Sequence, residues 1–574
     1  MQRPGDPLPR LTFPSILKDC SRVTRLERAD AVADGITERV MKVPVPMEEA
    51  IPGAKGSPAL DHQYGERQVQ SGFDRLLYRN QFVLGPQFIE WLPGWKQYEL
   101  NGSARLTVHP DLPCCQVSEG SRSITLLGFI LDPDDAKATD QEIAGRLLSA
   151  LGDCESFYEQ TYKYGGRWIL IVSDGKRRVL FNDAAGLRQV FYTNEQYGNG
   201  LWCASEPRML ARVLGLEISA NALDLINSYY FRSRWEYWWP GNGSPYKEIS
   251  HLLPNHRLDL QTKQVRRYWP NEDLKERPMG EVVETASRIF MGLLSSAAER
   301  FELVQSITAG WDSRLLLAAT RHESHRISYM TVRQLGMRES HADIRISSIL
   351  LRRLGLDHRI VRSSLILDPE FVKTYKTNAV LAHNHYLSDA QVILNSYGLG
   401  KVCVVGGVSE LVRDPTLGST ISINRRITPA EMSTELYGLG KNQFAITEIG
   451  KWFAGMGQIH NLSRDTIWYW EQRAANWLAM NQVEFDIAWR DIFVPYNCRG
   501  LLMAMLAVRE KDRRSPQNRL YKELIRNLWP EVLSEPVNPH KAGRLAILKG
   551  KLRAQAKRLV LRVPQCRRWF EHGE

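Results

Sequence analysis

Near residue 310 a buried strand runs straight into a helix, and this order of elements restricts the fold more than any other part of the chain. The apolar run LVQSIT at 303–308 predicts the strand, and a helical pattern from Asp312 to Arg321 follows it at once. Only Ala309, Gly310 and Trp311 lie between them. Similar strand-like and helix-like runs alternate afterwards, at 326–332, 341–355 and 401–405. The alternation predicts a parallel sheet with helices on both faces, which binds ligands beyond the carboxyl ends of its strands.

The chain before this region has a different pattern. Short β-type runs occupy residues 82–206, interrupted by one helical run at 139–151, and the turn signals SDGK and NDAAG separate the later strands. This predicts packed antiparallel sheets with helices outside. We therefore divide the chain into an extension (1–75), a sheet domain (76–215), a Trp- and Tyr-rich connector (216–275), a parallel-sheet domain with a helical end (276–540) and a basic tail (541–574). The Pro-rich, charged extension is predicted to be disordered.

The net charge of +11 is concentrated in the tail, which holds ten basic and two acidic residues, so the rest of the chain carries only +3. We therefore expect no nucleic-acid partner. The tail is either a basic amphipathic helix in peripheral contact with a membrane or a solvated segment. The eight cysteines are scattered and no apolar run approaches membrane-spanning length, so we expect a cytoplasmic protein.

The turn near residue 310 is suited to an anion. Small residues at Ala309 and Gly310 allow close backbone approach, and the helix start directs free N–H groups at it. Thr308 and Ser313 are candidate hydroxyl donors to phosphate, and Asp312 is the candidate ligand for an accompanying Mg²⁺. The alternative is an ordinary strand-to-helix turn in which Asp312 is the N-cap.

Several motifs together resemble the asparagine synthetase family. The segment TAGWDS at 308–313 is similar to that family's SGGxDS pyrophosphate loop. Tyr329 to Thr331 fall where the second strand of the family reaches adenine. The other similarities, in the same order along the chain, are NDAAGLRQVFY at 182–192, ASE at 204–206, LPNH at 253–256, and Asp343 with the LG pair at 354–355.

The resemblance implies an N-terminal antiparallel β-sandwich of the Ntn-hydrolase type and a C-terminal doubly wound parallel sheet of the pyrophosphate-loop (adenine nucleotide alpha hydrolase-like) type. It implies a ligase that uses ATP and Mg²⁺ to adenylate a carboxylate, releases pyrophosphate, and forms an amide as AMP leaves. The residues it assigns to nucleotide binding are Thr308, Ala309, Gly310, Asp312, Ser313, Met330 and Gly407, with Asp312 also on the metal.

The first domain departs from the family pattern at its nucleophile. The family uses an N-terminal Cys whose free amino group acts as the base. Here Gln2 follows Met1, and starts at Met41 or Met47 would expose Lys42 or Glu48. Cys114 and Cys115 lie inside the chain and are interpreted as ordinary thiols. We therefore expect a degenerate amidotransferase domain without glutamine hydrolysis.

The second metal loop also departs. Against the family's GEGxDE, residues 405–410 read VGGVSE, so Gly406 and Ser409 replace two acids while Gly407 and Glu410 are kept. Asp414 is a candidate replacement ligand. Glu410 and Arg413 either contact phosphate or substrate or form a salt-bridged helix start. The family's catalytic cation is matched by two candidates, Lys522 and Lys541.

Two functions from different classes follow. The first is an amide-forming ligase, with Lys522, Lys541 and Glu410 as catalytic residues, that acts on a small-molecule or peptide carboxylate and takes nitrogen from ammonia or an amine donor. The second is a catalytically silent nucleotide-binding or scaffold pseudoenzyme, suggested by the lost Cys and the two lost acids.

Overall fold

The computed structural model describes residues 73–100, 104–232, 234–416 and 422–539. The predicted extension up to residue 72 and the basic tail, including Lys541, lie outside the described residues. None of the described helices is both long and apolar enough to cross a membrane.

The N-terminal unit consists of two antiparallel sheets. Its strands are β1 (Phe82–Gly85), β2 (Lys96–Glu99), β3 (Arg105–Val108), β4 (Cys114–Glu119), β5 (Arg122–Leu131), β6 (Gly165–Ser173), β7 (Arg178–Asn182), β8 (Phe191–Thr193), β9 (Cys203–Ala204), β10 (Ile249–His251), β11 (His256–Asp259) and β12 (Val265–Arg267). One sheet has the order β10-β8-β9-β1-β3-β2 and the other β12-β11-β7-β6-β5-β4. The sequence predicted antiparallel sheets here, but it missed β10 to β12, which lie in the segment interpreted as a connector.

The register of these strands follows from their apolar runs. β5 and β6 pair from Ser123 opposite Ser173 to Leu131 opposite Gly165, and every residue of β6 is buried. The helices are α1 (Asp140–Ser149), α2 (Pro207–Leu214), α3 (Ala220–Asn227) and α4 (Tyr229–Arg232). α1 begins with a capping box in which Thr139 and Glu142 satisfy each other's backbone N–H groups.

The C-terminal unit contains a five-stranded parallel sheet. Its strands are β13 (Leu303–Ser306), β14 (Ile327–Arg333), β15 (His358–Arg362), β16 (Val402–Val404) and β17 (Asp491–Phe493), in the order β15-β14-β13-β16-β17. The predicted alternation of strands and helices is therefore confirmed, and β13 is the central strand. A parallel sheet covered on both faces needs apolar strands, and β13 is buried except at its last residue.

Helices surround this sheet and continue after its last strand. They are α5 (Met279–Arg300), α6 (Trp311–Ala319), α7 (Ala342–Arg353), α8 (Pro369–Asn378), α9 (Asn384–Tyr397), α10 (Glu410–Arg413), α11 (Pro429–Glu435), α12 (Gln443–Ala454), α13 (Arg464–Trp468), α14 (Ala479–Phe485), α15 (Arg499–Leu506), α16 (Glu510–Arg513) and α17 (Arg519–Leu528). A π-helical segment, Tyr469–Leu478, joins α13 to α14, and short 3₁₀ segments occur at Asp74–Leu76, Phe157–Thr161, Arg321–Arg326 and Pro530–Ser534.

The two units are joined by a buried ion cluster. Arg167 of β6 donates to Asp486 at 2.6 Å and to Asp491 at 2.9 Å, and Arg188 donates to Asp491 at 2.6 Å. All four side chains are at most 5% exposed. Two arginines from one unit thus face two aspartates from the other. Loss of this contact would leave buried charges without partners in both units.

Candidate nucleotide site

The turn after the central strand carries the candidate site. α6 begins at Trp311, and its N-cap is Gly310. The alternative with Asp312 as N-cap is therefore wrong, because Asp312 already lies in the first helical turn. The turn sits at the carboxyl end of β13, where the neighbouring β14 and β16 also end. This is the edge of a parallel sheet at which ligands bind.

Side chains within the loop hold it in shape. The N–H of Thr308 donates to Oγ of Ser313 at 3.0 Å, and the N–H of Gly310 donates to Oγ1 of Thr308 at 3.2 Å. The N–H of Ala309 donates to Oδ1 of Asp343, in the first turn of α7, at 2.8 Å. These three backbone donors are therefore already satisfied by the protein.

Three other backbone donors remain. The N–H groups of Trp311, Asp312 and Ser313, the first turn of α6, donate to no acceptor in the described part of the chain. Unpaired first-turn N–H groups and the positive end of the helix dipole favour an anion. The anion-binding capacity of the loop therefore lies in the helix start rather than in the glycine turn that precedes it.

The second loop contacts the first through Asp312. Nε of Arg413 lies 3.3 Å from Oδ1 of Asp312, and Nη2 lies 3.1 Å from Oδ2. The hydroxyl of Ser409 also donates to Oδ1. Tyr521 of α17 holds Ser409 in place through hydrogen bonds of 2.7 Å and 3.0 Å. Both oxygens of the predicted metal ligand are thus engaged by protein donors.

This arrangement does not fit Mg²⁺. The ion prefers octahedral oxygen ligands at about 2.1 Å, and the guanidinium of Arg413 occupies the side of Asp312 that a cation would take. The described residues contain no group of three His, Cys, Asp or Glu able to hold a metal ion. Asp414, the candidate replacement for the missing acidic ligands, follows α10, and its backbone N–H donates to the carbonyl of Glu410 at 2.8 Å. The prediction of Asp312 as a magnesium ligand is not supported by its contacts here.

Glu410 is the second carboxylate of the site. It accepts a hydrogen bond from the hydroxyl of Tyr469 at 3.1 Å and lies 3.8 Å from Nη2 of Arg413. Burial, followed by the negative charge of Asp312, raises the pKa of Glu410 to about 7. Its side chain is 26% exposed, so it is still accessible to a reacting group. A carboxylate with this pKa can exchange a proton near neutral pH.

Gly406 packs closely against the first turn of α6. A Cβ atom built on Gly406 would lie 2.8 Å from Cβ of Asp312 and 3.1 Å from its carbonyl carbon. A larger residue would therefore displace the start of α6. Gly407 is tight in a different way, since its Cβ would lie 2.7 Å from Cδ2 of Leu478, the end of a flexible side chain.

The remaining predicted residues lie around this centre. Met330 lies in the middle of β14, opposite Ser306 at the end of β13, and it is 2% exposed. Nζ of Lys522, on α17, lies 5.9 Å from the centre of the Trp311 ring. Lys541 lies outside the described residues. Tyr469 and Tyr521 were not predicted, because isolated tyrosines in helical runs cannot be distinguished from core residues in a sequence.

The thiols of the N-terminal unit lack the character of nucleophiles. Burial raises the pKa of Cys114 to about 12, of Cys115 to about 11 and of Cys154 to about 12. Burial raises the pKa of Cys203 further, and it does the same for Cys403, which lies in β16 of the C-terminal unit. Because the thiolate is the reactive form, these groups are inert near neutral pH.

Comparisons with known proteins give only distant similarities. No family model matches the sequence, and no curated protein matches it. Solved structures that resemble it include a glutamine phosphoribosylpyrophosphate amidotransferase from B. subtilis complexed with ADP and GMP. The match has 9% identity over 53% of this chain and 88% of that one, with a TM-score of 0.22.

Two further matches are equally weak. An allosteric regulatory enzyme of purine biosynthesis matches with 10% identity over 53% of this chain and 74% of that one, at a TM-score of 0.22. A glutamine-dependent NAD⁺ synthetase from Acinetobacter baumannii, in complex with ADP, matches with 13% identity over 38% of this chain and 40% of that one, at 0.18. At such scores the likeness carries no argument about function.

Proposed function

We propose that this protein is an asparagine synthetase-like ligase that activates a carboxylate with ATP and converts it to an amide. The observation that carries the proposal is the start of α6, whose three unpaired N–H groups face the same edge of the sheet as Arg413 and Glu410. N–H groups that can bind an anion, the positive charge of Arg413 and the carboxylate of Glu410 thus lie together beyond the central strand.

The proposed reaction has two steps. A carboxylate oxygen of the acceptor attacks the α-phosphorus of ATP, and pyrophosphate leaves. The nitrogen of ammonia or an amine then attacks the acyl carbon, loses a proton and displaces AMP. Glu410 is proposed to take that proton, because its pKa of about 7 matches the task.

The other residues have proposed roles around these steps. Thr308, Ala309 and Gly310 hold the loop in shape beneath the phosphates, Ser313 binds them through its N–H, and Met330 and Gly407 border the nucleotide. Lys522 or Lys541 stabilises the charge that develops as pyrophosphate leaves. The backbone N–H of Asn538 donates to the carbonyl of Ala309 at 2.8 Å, so the last described segment lies against the first loop.

We propose that the N-terminal unit has the Ntn-type sandwich without glutaminase chemistry. The raised pKa values of its cysteines support this. Nitrogen then comes from free ammonia or an amine donor, and the acceptor is a small-molecule or peptide carboxylate. A cytoplasmic location, and contact of the basic tail with a membrane surface, remain part of the proposal.

One observation favours the second candidate, a nucleotide-binding pseudoenzyme. Arg413 and Ser409 both donate to the carboxylate of Asp312, which the resemblance assigns to the metal. A site that binds ATP in this state would not need to turn it over. Both of these candidate functions require ATP binding, and only the ligase releases pyrophosphate.

Titration calorimetry with ATP tests the shared part. We expect binding in the wild type and a threefold to tenfold loss in Ser313→Ala, which removes the hydroxyl that bonds to Thr308 and holds the loop in shape. Ser324→Ala, which removes an exposed hydroxyl bonded to Arg321, is the control. Absence of binding at millimolar ATP would refute the ligase and the nucleotide-binding pseudoenzyme, and it would leave a scaffold pseudoenzyme. Pyrophosphate release during a screen of carboxylates with ammonia would support the ligase, and binding without release would support the pseudoenzyme.

A further inference from the structure

The ion pair at the centre of the site has unused donor capacity. A guanidinium has five N–H groups, and the bond to Asp312 uses one on Nε and one on Nη2 of Arg413. The contact to Glu410 at 3.8 Å is too long for a hydrogen bond. The side chain of Arg413 is 12% exposed. Donors on its outer edge are therefore available to an anion that arrives at the start of α6.

The acidic residues of the two loops carry less negative charge than a divalent metal site needs, and they suit the single positive charge of Arg413. The resemblance expects acids at the positions of Gly406 and Ser409, where they would help to balance Mg²⁺. Neither acid is present, and an acid at 406 has no room beside Asp312. The one positive charge of Arg413 balances Asp312, and the raised pKa of Glu410 keeps much of that second carboxyl protonated near neutral pH. The lost acids and the arginine therefore form one consistent arrangement.

We propose that Arg413 takes the place of the magnesium ion, so that this site binds pyrophosphate or the polyphosphate of ATP without a divalent metal. The inference rests on the proposed nucleotide site. Asp312 then acts as a positioning residue that orients the guanidinium, and the remaining N–H groups of Arg413 join those of the α6 start in binding phosphate oxygens. Arginine suits this role because its planar fork matches phosphate as well as carboxylate.

Calorimetry with sodium pyrophosphate and with ATP, each in EDTA and in excess Mg²⁺, tests the inference. We expect wild-type dissociation constants in EDTA to stay within about threefold of those in Mg²⁺. Arg413→Ala removes charge-assisted hydrogen bonds and should weaken binding in EDTA by about tenfold to a hundredfold. Arg413→Lys keeps the charge but lacks the planar guanidinium, so its dissociation constant in EDTA should lie between those of the wild type and Arg413→Ala. Arg326→Ala, at the opposite edge of the sheet in an ion pair with Glu299, is the control.

Asp312→Asn gives predictions of opposite sign for the two roles of Asp312. If Asp312 held a metal, the substitution would abolish binding. If it orients Arg413, removing its charge leaves the cation uncompensated, and pyrophosphate affinity in EDTA should be kept within about threefold or increase. Paramagnetic resonance of Mn²⁺ supplies a readout independent of nucleotide. We expect no bound Mn²⁺ in the wild type at about 0.1 mM free ion, a concentration well above the dissociation constants of about 10⁻⁷–10⁻⁵ M typical of sensor-strength Ca²⁺ sites.

The outcomes separate the inference from the function on which it rests. Equal binding with and without Mg²⁺, lost in Arg413→Ala, supports the inference. Binding that requires Mg²⁺, or that disappears in Asp312→Asn, overturns it and leaves the nucleotide site intact. No binding under either condition overturns the nucleotide site and the inference together. Circular dichroism of each variant identifies any loss of fold, and Asp312→Asn preserves side-chain size while Arg413→Lys preserves the charge.

Discussion

Gly406→Ala adds one methyl group at the tightest contact of the candidate site. Its Cβ would lie 2.8 Å from Cβ of Asp312, 3.1 Å from the carbonyl carbon of Asp312 and 3.3 Å from the nitrogen of Ser313. Two of these are backbone atoms in the first turn of α6, so the contact cannot be relieved by a rotamer change. Overpacking of this kind costs about 1–3 kcal/mol, and it displaces the N–H groups proposed to bind phosphate.

Gly407→Ala is the matched control one residue away. Its Cβ would meet Cδ2, Cδ1 and Cγ of Leu478 at 2.7, 3.1 and 3.5 Å. The end of a leucine side chain can rotate away, at a cost of about 0.5–1.5 kcal/mol when it leaves its preferred rotamer. The same chemical change therefore tests backbone contact against side-chain contact.

Thermal unfolding and pyrophosphate calorimetry measure the two effects. A loss of 1 kcal/mol lowers the midpoint by roughly 2–4 °C in a domain of 150–250 residues, so we expect Gly406→Ala to unfold several degrees below the wild type. Its pyrophosphate affinity should fall by more than that of Gly407→Ala, whose added methyl group meets a side chain and not the backbone of α6. Equal losses in the two variants, or a normal affinity in Gly406→Ala, would refute the account of the loop contact.

Three further predictions concern the buried charges and thiols. Asp491→Asn in the ion cluster should destabilise the protein by about 3–5 kcal/mol in denaturant unfolding, while Glu523→Gln, in an exposed pair, should change stability by less than about 1 kcal/mol; similar losses in both would contradict the role of the cluster. The pKa of Glu410 is raised from 4.5 to about 7, so the folded state keeps a proton that the unfolded state loses, and stability should fall as pH rises from 4.5 to 7. Glu410→Gln should reduce that slope in unfolding midpoints measured at pH 5, 6, 7 and 8, and an unchanged slope would exclude Glu410 as its source. Iodoacetamide at pH 7.5 should leave Cys114 and Cys115 unlabelled in the folded protein and label them after unfolding, as peptide mass spectrometry can show; rapid labelling of the folded protein would contradict their raised pKa values.

Much of the secondary structure could be predicted because its signals are local. The parallel-sheet strands at 303–308, 326–332 and 401–405 were each found within a few residues of their observed bounds. The strands β10 to β12 were missed, because each has only three or four residues and lies in an aromatic segment without alternation. Their pairing with β7 and β8 supplies the stability that a short strand lacks alone.

The candidate site was predictable in part. The residues of the first loop were identified because a strand, two small residues and a helix follow one another directly. The state of Asp312 was not predictable, because its partners Ser409 and Arg413 come from a loop almost a hundred residues later. The sequence left open whether Glu410 and Arg413 contact a ligand or each other, and in the structure Arg413 pairs with Asp312 more closely than with Glu410.

The sequence by itself determined the order of strands and helices and the small-residue turn at 309–310, since apolar periodicity and backbone freedom act over a few neighbouring residues. Only the tertiary structure decided that an arginine, rather than open space for a metal, lies against Asp312. Packing sets that outcome, because the distance between two side chains from separate loops depends on how β13 and β16 lie side by side and on how closely Gly406 lets their loops approach.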